Sequence, residues 1–118
     1  MARLIVSSTK AASARILEPV PPERAFYFYA EVGRPVGTVA SSLKEFGGAL
    51  KTVEVGSLEF HLQRGDFERW VTMLGDNDLA RSVSGMKQLH LTGEKLRSEL
   101  VRVVQTRVRQ LQRTPSKK

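Results

Sequence analysis

The first strong pattern in the chain lies in residues 25–32, where side chains of one set occupy every second position and those of another set occupy the positions between them. A period of two with many aromatic residues indicates a β-strand, because successive side chains of a strand point to opposite faces. Gly33-Arg34-Pro35 ends the pattern, and residues 36–40 either return as a hairpin partner or cross the surface. One side of the strand carries Phe26, Phe28, Ala30 and Val32, and the other side carries Tyr27, Tyr29 and Glu31.

Apolar residues three and four positions apart dominate the rest of the chain and indicate helices. Ser42 and Glu45 have the spacing of a capping box, although Gly47-Gly48 weakens the helix that follows. Ser57 is the expected cap of a second, short helix. Three further helices are expected to begin at Asp66, at the Asp76-Asn77-Asp78 run and at Thr92, with helix stops at Gly65 and Gly75.

These elements predict a mainly α protein of the α+β class. We expect a short N-terminal strand or β-hairpin followed by a compact bundle of about five helices, the last long and basic. A chain of 118 residues has the size of one domain. The expected organisation is a basic N-terminal arm with a Pro-rich connection over residues 1–22, a single globular domain over 23–113 and a disordered tail over 114–118. Residues 1–17, which contain three cations and no acid, are alternatively a cleaved targeting segment.

The net charge of +7 is not spread evenly along the chain. Residues 95–118 contain eight Lys and Arg side chains and one Glu, so this segment alone carries +7. Residues 1–94 sum to zero; within them the first 15 residues carry +3, so residues 16–94 carry −3. Because the basicity lies at the two ends of a mildly acidic body, it points to a polyanionic partner, with nucleic acid as the first candidate.

The last predicted helix carries a row of cations opposite its apolar side, which consists of Leu96, Leu100, Val103, Val104, Val108 and Leu111. At 100° per residue, Lys95, Arg102, Arg109 and Arg113 fall within about 40° of one another and span about 27 Å. Such a row suits phosphates, because each contact releases counterions. The other interpretations are a solvated amphipathic helix, an acidic protein partner, a dimer seam and an anionic membrane surface. The predicted nucleic-acid-binding residues are Lys95, Arg102, Arg107, Arg109, Arg113, Lys117 and Lys118. Arg107 lies on or beside the apolar face, as does Arg97, where either side chain can snorkel past the core.

A motif in the middle of the chain carries a family resemblance. It consists of His61, Gly65-Asp66-Phe67 and Trp70, and segments 25–29, 32–37 and 42–46 accompany it. Together they resemble a family of small, largely archaeal proteins known only as a domain of unknown function. The motif is also similar to a short helical module appended to larger bacterial regulatory proteins. The resemblance covers roughly residues 25–90 and implies a shared compact domain, without a reaction, cofactor or catalytic residue.

The same motif has two chemical interpretations. His61 and Asp66 are five positions apart, which suggests an acid–base pair or part of a metal site. The structural interpretation is stronger, because Asp66 follows Gly65 at a place where a carboxylate caps a helix, and the His61 ring can hydrogen-bond across that cap. We therefore expect no metal, no cofactor and no catalytic residue. The predicted structural motif is His61, Gly65, Asp66, Phe67 and Trp70, in which Phe67 and Trp70 are expected to be buried core residues.

Two functions remain open. In the first, the protein is a non-enzymatic accessory factor that binds RNA, DNA or a ribonucleoprotein through its basic C-terminal helix. In the second, it is an interaction module whose acidic aromatic body binds a protein partner, while the basic helix only solubilises or dimerises the chain. The absence of cysteine fits a reducing compartment, so we expect a cytoplasmic location. No stretch approaches the roughly 20 apolar residues of a membrane helix.

Overall fold

The computed structural model describes residues 10–113 and contains one β-hairpin set among six α-helices. The mainly helical α+β architecture predicted from the sequence is confirmed, with the hairpin followed by five α-helices. Two short 3₁₀ turns, Pro22–Arg24 and Lys87–Leu89, complete the described elements. The elements are α1 Lys10–Leu17, β1 Phe26–Glu31, β2 Arg34–Ala40, α2 Leu43–Ala49, α3 Val55–Arg64, α4 Asp66–Leu74, α5 Asn77–Met86 and α6 Gly93–Gln112.

The two strands form an antiparallel pair in which Phe26 lies opposite Ala40. Residues 36–40 therefore return as the hairpin partner, which was one of the two expected outcomes. Phe26 and Phe28, which were predicted to share one side of the strand, are both buried. Val32, which the alternation assigned to the same side, is 78% exposed, because β1 ends at Glu31 and the chain turns before β2.

The predicted capping box at α2 is confirmed with one difference. The Glu45 N–H donates to Ser42 Oγ at 3.1 Å, as expected. The Glu45 carboxylate accepts from the N–H of Ser41 at 2.8 Å, one residue earlier than the usual partner. Inside α2, a Cβ at Gly47 would lie 3.4 Å from Val104 Cγ1, so the glycine allows α2 to approach α6 closely. The expected cap of α3 is wrong: Glu54 is the N-cap, and Ser57 is buried within the helix.

Part of the predicted N-terminal arm belongs to the packed body. Residues 10–17 form α1, which contacts α6, and the Ile16 side chain is buried. The Val20 N–H donates to the Ser41 carbonyl at 2.7 Å, which fixes the Pro-rich connection against the start of α2. Ile16 alone gives α1 no apolar period, and the sequence therefore did not reveal it. The first nine residues of the arm and the expected disordered tail, 114–118, lie outside the described residues.

An aromatic cluster joins the hairpin to the helices. The Phe26 ring centroid lies 4.8 Å from that of Phe28 and 5.4 Å from those of Phe46 and Phe67. The last described helix, α6, packs against α1, α2, α3 and α5 with one apolar face. That face was predicted correctly except for Val103, which is half-buried; its buried members are Leu96, Leu100, Val104, Val108 and Leu111. Within residues 10–113, no helix has both the length and the apolar character needed to cross a bilayer.

Candidate functional site

His61 links β1 to the start of α4. Its Nε2 accepts a hydrogen bond from the Tyr29 N–H at 2.8 Å, and its Nδ1 lies 2.8 Å from Asp66 Oδ2. A main-chain N–H only donates, so Nε2 carries no proton, and Nδ1 therefore donates to the carboxylate. Burial lowers the pKa of His61 below its usual 6.5, against the opposing effect of Asp66. Both ring nitrogens of this neutral histidine are thus engaged within the protein.

Asp66 does not cap α4, so that part of the prediction is wrong. It is the first residue of α4, whose N-cap is Gly65 with a φ of 79°, and its side chain makes no capping hydrogen bond. Because side chains in a first helical turn lean back toward the N-terminus, the carboxylate meets the end of α3. There it accepts from His61, lies 3.2 Å from Arg64 Nε and pairs with Arg69. The expected hydrogen bond between His61 and Asp66 is present.

Trp70 closes the same motif from the other side. Its indole is 8% exposed, which confirms the predicted burial, and Nε1 donates to the Arg24 carbonyl at 2.7 Å. Phe67 is fully buried, and Gly65 adopts the left-handed conformation that lets a single residue separate α3 from α4. The five motif residues are therefore in one place. Among residues 10–113 there is no group of three or more His, Asp or Glu side chains arranged to hold a metal ion.

The state of His61 gives stability a pH dependence. The pKa of His61 is lower in the folded chain than in the unfolded chain. As pH falls below about 6.5, the unfolded chain therefore takes up a proton on this histidine more readily than the folded chain does, and the free energy of unfolding decreases. We expect the free energy of unfolding, measured by denaturant titration, to decrease between about pH 7.5 and about pH 5.5. In His61→Gln this decrease should be largely absent, whereas His90→Asn, at an exposed histidine, should retain it. An unchanged slope in His61→Gln would contradict the assignment.

The motif forms one wall of a cleft of about 700 Å³ beside β1, and we call this space the β1 cleft. The hairpin side contributes Tyr27, Tyr29 and Val32, and the helices contribute Phe60 and Met73. Three of the five large apolar side chains that are exposed in residues 10–113 line it. Three arginines, Arg24, Arg64 and Arg69, also line the cleft, and all three are exposed. The cleft was not predicted from the sequence, although the outward aromatic residues of β1 were a signal for it.

The four cations predicted to share one side of α6 are all exposed, and we call them the cationic face: Lys95, Arg102, Arg109 and Arg113. Arg102 pairs with Glu99, and the hydrogen bond from Arg102 lowers the pKa of Glu99. The ionised Glu99 therefore compensates part of the positive charge of Arg102. Lys51, which the sequence analysis did not single out, lines a shallow depression with Arg97 and Arg102 and adds a cation beside the face.

Arg107 does not belong to this surface. Its Nε lies 2.8 Å from Asp76 Oδ2, its side chain is 13% exposed, and that of Asp76 is 1% exposed. The predicted role of Arg107 in binding phosphate is therefore replaced by an internal ion pair between α6 and the start of α5. The reason is its position beside the apolar face, which turns the side chain inward. The remaining predicted residues, Lys117 and Lys118, lie outside the described residues.

The fold and these surfaces define a small, mainly helical α+β domain with a hairpin-bound histidine motif and a basic terminal helix. The chain belongs to a family of unknown function, DUF5752, whose family model matches residues 4–105. The resemblance of residues 25–90 to a domain of unknown function is thereby confirmed, and the match extends over α1 and most of α6. No curated protein sequence and no solved structure matches the chain.

Proposed function

We propose that the protein is a non-enzymatic accessory factor that binds nucleic acid, free or in a ribonucleoprotein, through the cationic face of α6. The observation that carries this proposal is the state of Lys95, Arg109 and Arg113. All three are exposed, and none forms an ion pair within residues 10–113. Cations without an ion pair can bind phosphates without first breaking a contact with a carboxylate. Arg102 contributes less, because it must loosen its contact with Glu99.

The packing of α6 supports the same proposal. Five buried apolar side chains fix the helix to the body along its length, so the opposite side presents its cations at fixed spacing. Lys95 and Arg102 are separated by about 10 Å along the axis, as are Arg102 and Arg109. A rigid row of this kind holds a phosphate backbone without ordering a flexible tail first. Contacts of this type carry no sequence information by themselves.

The non-enzymatic part of the proposal rests on the histidine motif. His61 is the residue best suited to acid–base chemistry, yet the Tyr29 N–H and the Asp66 carboxylate occupy its two nitrogens. Asp66 is in turn held by two arginines. These contacts explain the motif as a structural junction. We place the protein in the cytoplasm, with the absence of cysteine as the supporting observation.

The proposal is tested by replacing Lys95, Arg102, Arg109 and Arg113 with glutamine. We expect the fold to be retained, because all four side chains are exposed, and most binding to RNA or DNA to be lost. Four neutralised phosphates imply a log–log salt slope of roughly −3 to −4 on duplex DNA. Binding of the unmodified protein should therefore weaken on the order of a hundredfold between about 50 and about 200 mM salt, measured by fluorescence anisotropy.

A control variant with the same change in net charge distinguishes loss of the cationic face from loss of total positive charge as the cause of weaker binding. Arg15, Arg24, Arg34 and Lys44 are exposed on other elements, so their replacement by glutamine should leave most of the binding. Equal loss in the two variants would show that only the total charge matters. If deletion of residues 114–118 removes all binding and the glutamine variant of α6 retains it, the cationic face is not the site.

The second candidate is an interaction module whose aromatic body binds a protein partner. The β1 cleft favours it, because contiguous exposed apolar side chains on a small protein mark binding surfaces. The sequence suggested an acidic body, but the cleft itself carries three guanidinium groups against the carboxylates of Glu23 and Asp66. Nuclease-resistant and salt-resistant recovery of a stoichiometric protein complex would favour this candidate over the first.

A further inference from the structure

We infer that the β1 cleft binds an extended peptide segment that combines a large apolar side chain with carboxylate side chains. This inference rests on the second candidate function and is independent of nucleic-acid binding by α6. It deepens that candidate by stating the chemistry of the partner.

The apolar component of the ligand follows from three exposed side chains. Tyr27 and Val32 of the hairpin and Met73 of α4 line the cleft. Val32 stands on the hairpin turn, where the β1–β2 pairing leaves it without a place in the core. Methionine beside aromatic rings is typical of surfaces that accept apolar side chains of a partner. An apolar anchor would cover all three.

The carboxylate component follows from the arginines. The side chains of Arg64 and Arg69 are 49% and 65% exposed, and both share the single carboxylate of Asp66. Arg24 is also exposed and forms no ion pair within the described part of the chain. Each guanidinium has five N–H donors, so this arrangement leaves donors facing solvent. A guanidinium group offers two parallel N–H donors that a carboxylate can accept together. A ligand that carries a carboxylate next to an apolar side chain therefore matches arginines that lie beside an apolar surface.

The shape of the cleft favours an extended chain. The lining follows the chain from Glu23, before β1, to Gly33, after it, and the six-residue strand between them measures about 20 Å. A compact ligand would leave one end of such a groove unfilled. Single-stranded nucleic acid fits less well, because stacking of successive bases needs several exposed rings. Among the aromatic residues that line the cleft only Tyr27 is exposed, whereas Tyr29 and Phe60 are half-buried and Phe26 and Trp70 are buried.

The two ends of this chain lack the required charge. Residues 1–9 and 114–118 contain Arg3, Lys117 and Lys118 and no Asp or Glu. A cationic rim therefore favours a partner of different composition over either end of the protein itself.

The test uses a displayed library of random peptides of about twelve residues, selected against the full chain. We expect enriched peptides to place Asp or Glu beside a large apolar residue. Their affinity should fall about tenfold or more in Arg24→Glu and in Met73→Glu, measured by fluorescence anisotropy with synthetic peptides. Both changes are at exposed positions, and circular dichroism of each variant checks that the fold is kept.

Matched controls lie outside the cleft. Lys44→Glu repeats the charge reversal and Leu89→Glu repeats the apolar-to-acidic change, each at an exposed position, and both should leave the affinity unchanged. The glutamine variant of the cationic face should also bind peptide normally, so failure of the nucleic-acid proposal would not affect this result. The inference is overturned if no peptide is enriched or if enriched peptides bind the cleft variants equally. It is also overturned if oligothymidylate, instead of peptide, depends on Arg24 and Met73.

Discussion

Replacement of Trp70 by alanine is expected to lower the free energy of unfolding by roughly 3–5 kcal/mol. The indole packs against Phe26 and Phe46, with ring centroids 5.7 and 5.1 Å away, so truncation opens a cavity at the centre of the aromatic cluster. It also leaves the Arg24 carbonyl, which accepts from Nε1, without its partner. Denaturant titration with tryptophan-independent detection, such as far-UV circular dichroism, measures the loss.

Two further variants separate the contribution of ring packing at Trp70 from that of its hydrogen bond and from that of the exposed side of α4. Trp70→Phe keeps most of the ring volume but removes the hydrogen bond to Arg24, and it should cost clearly less than alanine. Met73→Ala, on the exposed side of the same helix, should change stability by about 1 kcal/mol or less. An alanine variant at position 70 as stable as the original protein would show that the indole is not a core residue, and it would reopen the motif as a binding surface.

The second large effect is expected at the internal ion pair between α5 and α6. Arg107→Met removes the guanidinium and leaves the carboxylate of Asp76 buried without its counter-charge. We expect a loss of about 3 kcal/mol, near the lower end for a broken buried pair, because Asp76 still accepts from the Leu79 N–H at 3.0 Å. The same denaturant titration provides the measurement.

The chain offers a matched comparison for this variant. Arg102→Met is the same substitution on the same helix, but it breaks an exposed pair with Glu99 and should cost much less. Combining Arg107→Met with Asp76→Asn should recover part of the loss, since asparagine removes the buried charge and remains a good helix cap. If Arg107→Met costs no more than Arg102→Met, the interior pair does not stabilise the fold as its burial indicates.

Features that depend on residues close in the chain were predictable from the sequence. The alternation in β1 located the buried Phe26 and Phe28, and the helical period of α6 identified all five of its buried side chains. The capping box at Ser42 and Glu45 was readable because both partners lie within one turn. In each case the side-chain pattern and the local hydrogen bonds point to the same structure.

Features that depend on contacts between distant segments were not predictable in this way. Arg107 meets Asp76, 31 positions earlier; its place beside the apolar face set it apart from the exposed cations, but no local pattern identified its partner. Asp66 had the sequence context of a cap, but its partners His61, Arg64 and Arg69 are set by the tight junction between α3 and α4. The β1 cleft combines three separate segments, so it exists only once the hairpin has docked on those helices.

The position of α6 also affects the order in which parts of the chain can fold during synthesis. The aromatic cluster and the histidine junction use residues 26–74 and can assemble while the ribosome is still adding the rest of the chain. The apolar sides of α1 and α2, in contrast, are covered by α6, the last described helix. During synthesis these surfaces stay open until residues 93–112 have left the exit tunnel. Exposed apolar surface of this kind makes an incomplete chain prone to aggregation, and the docking of α6 removes it.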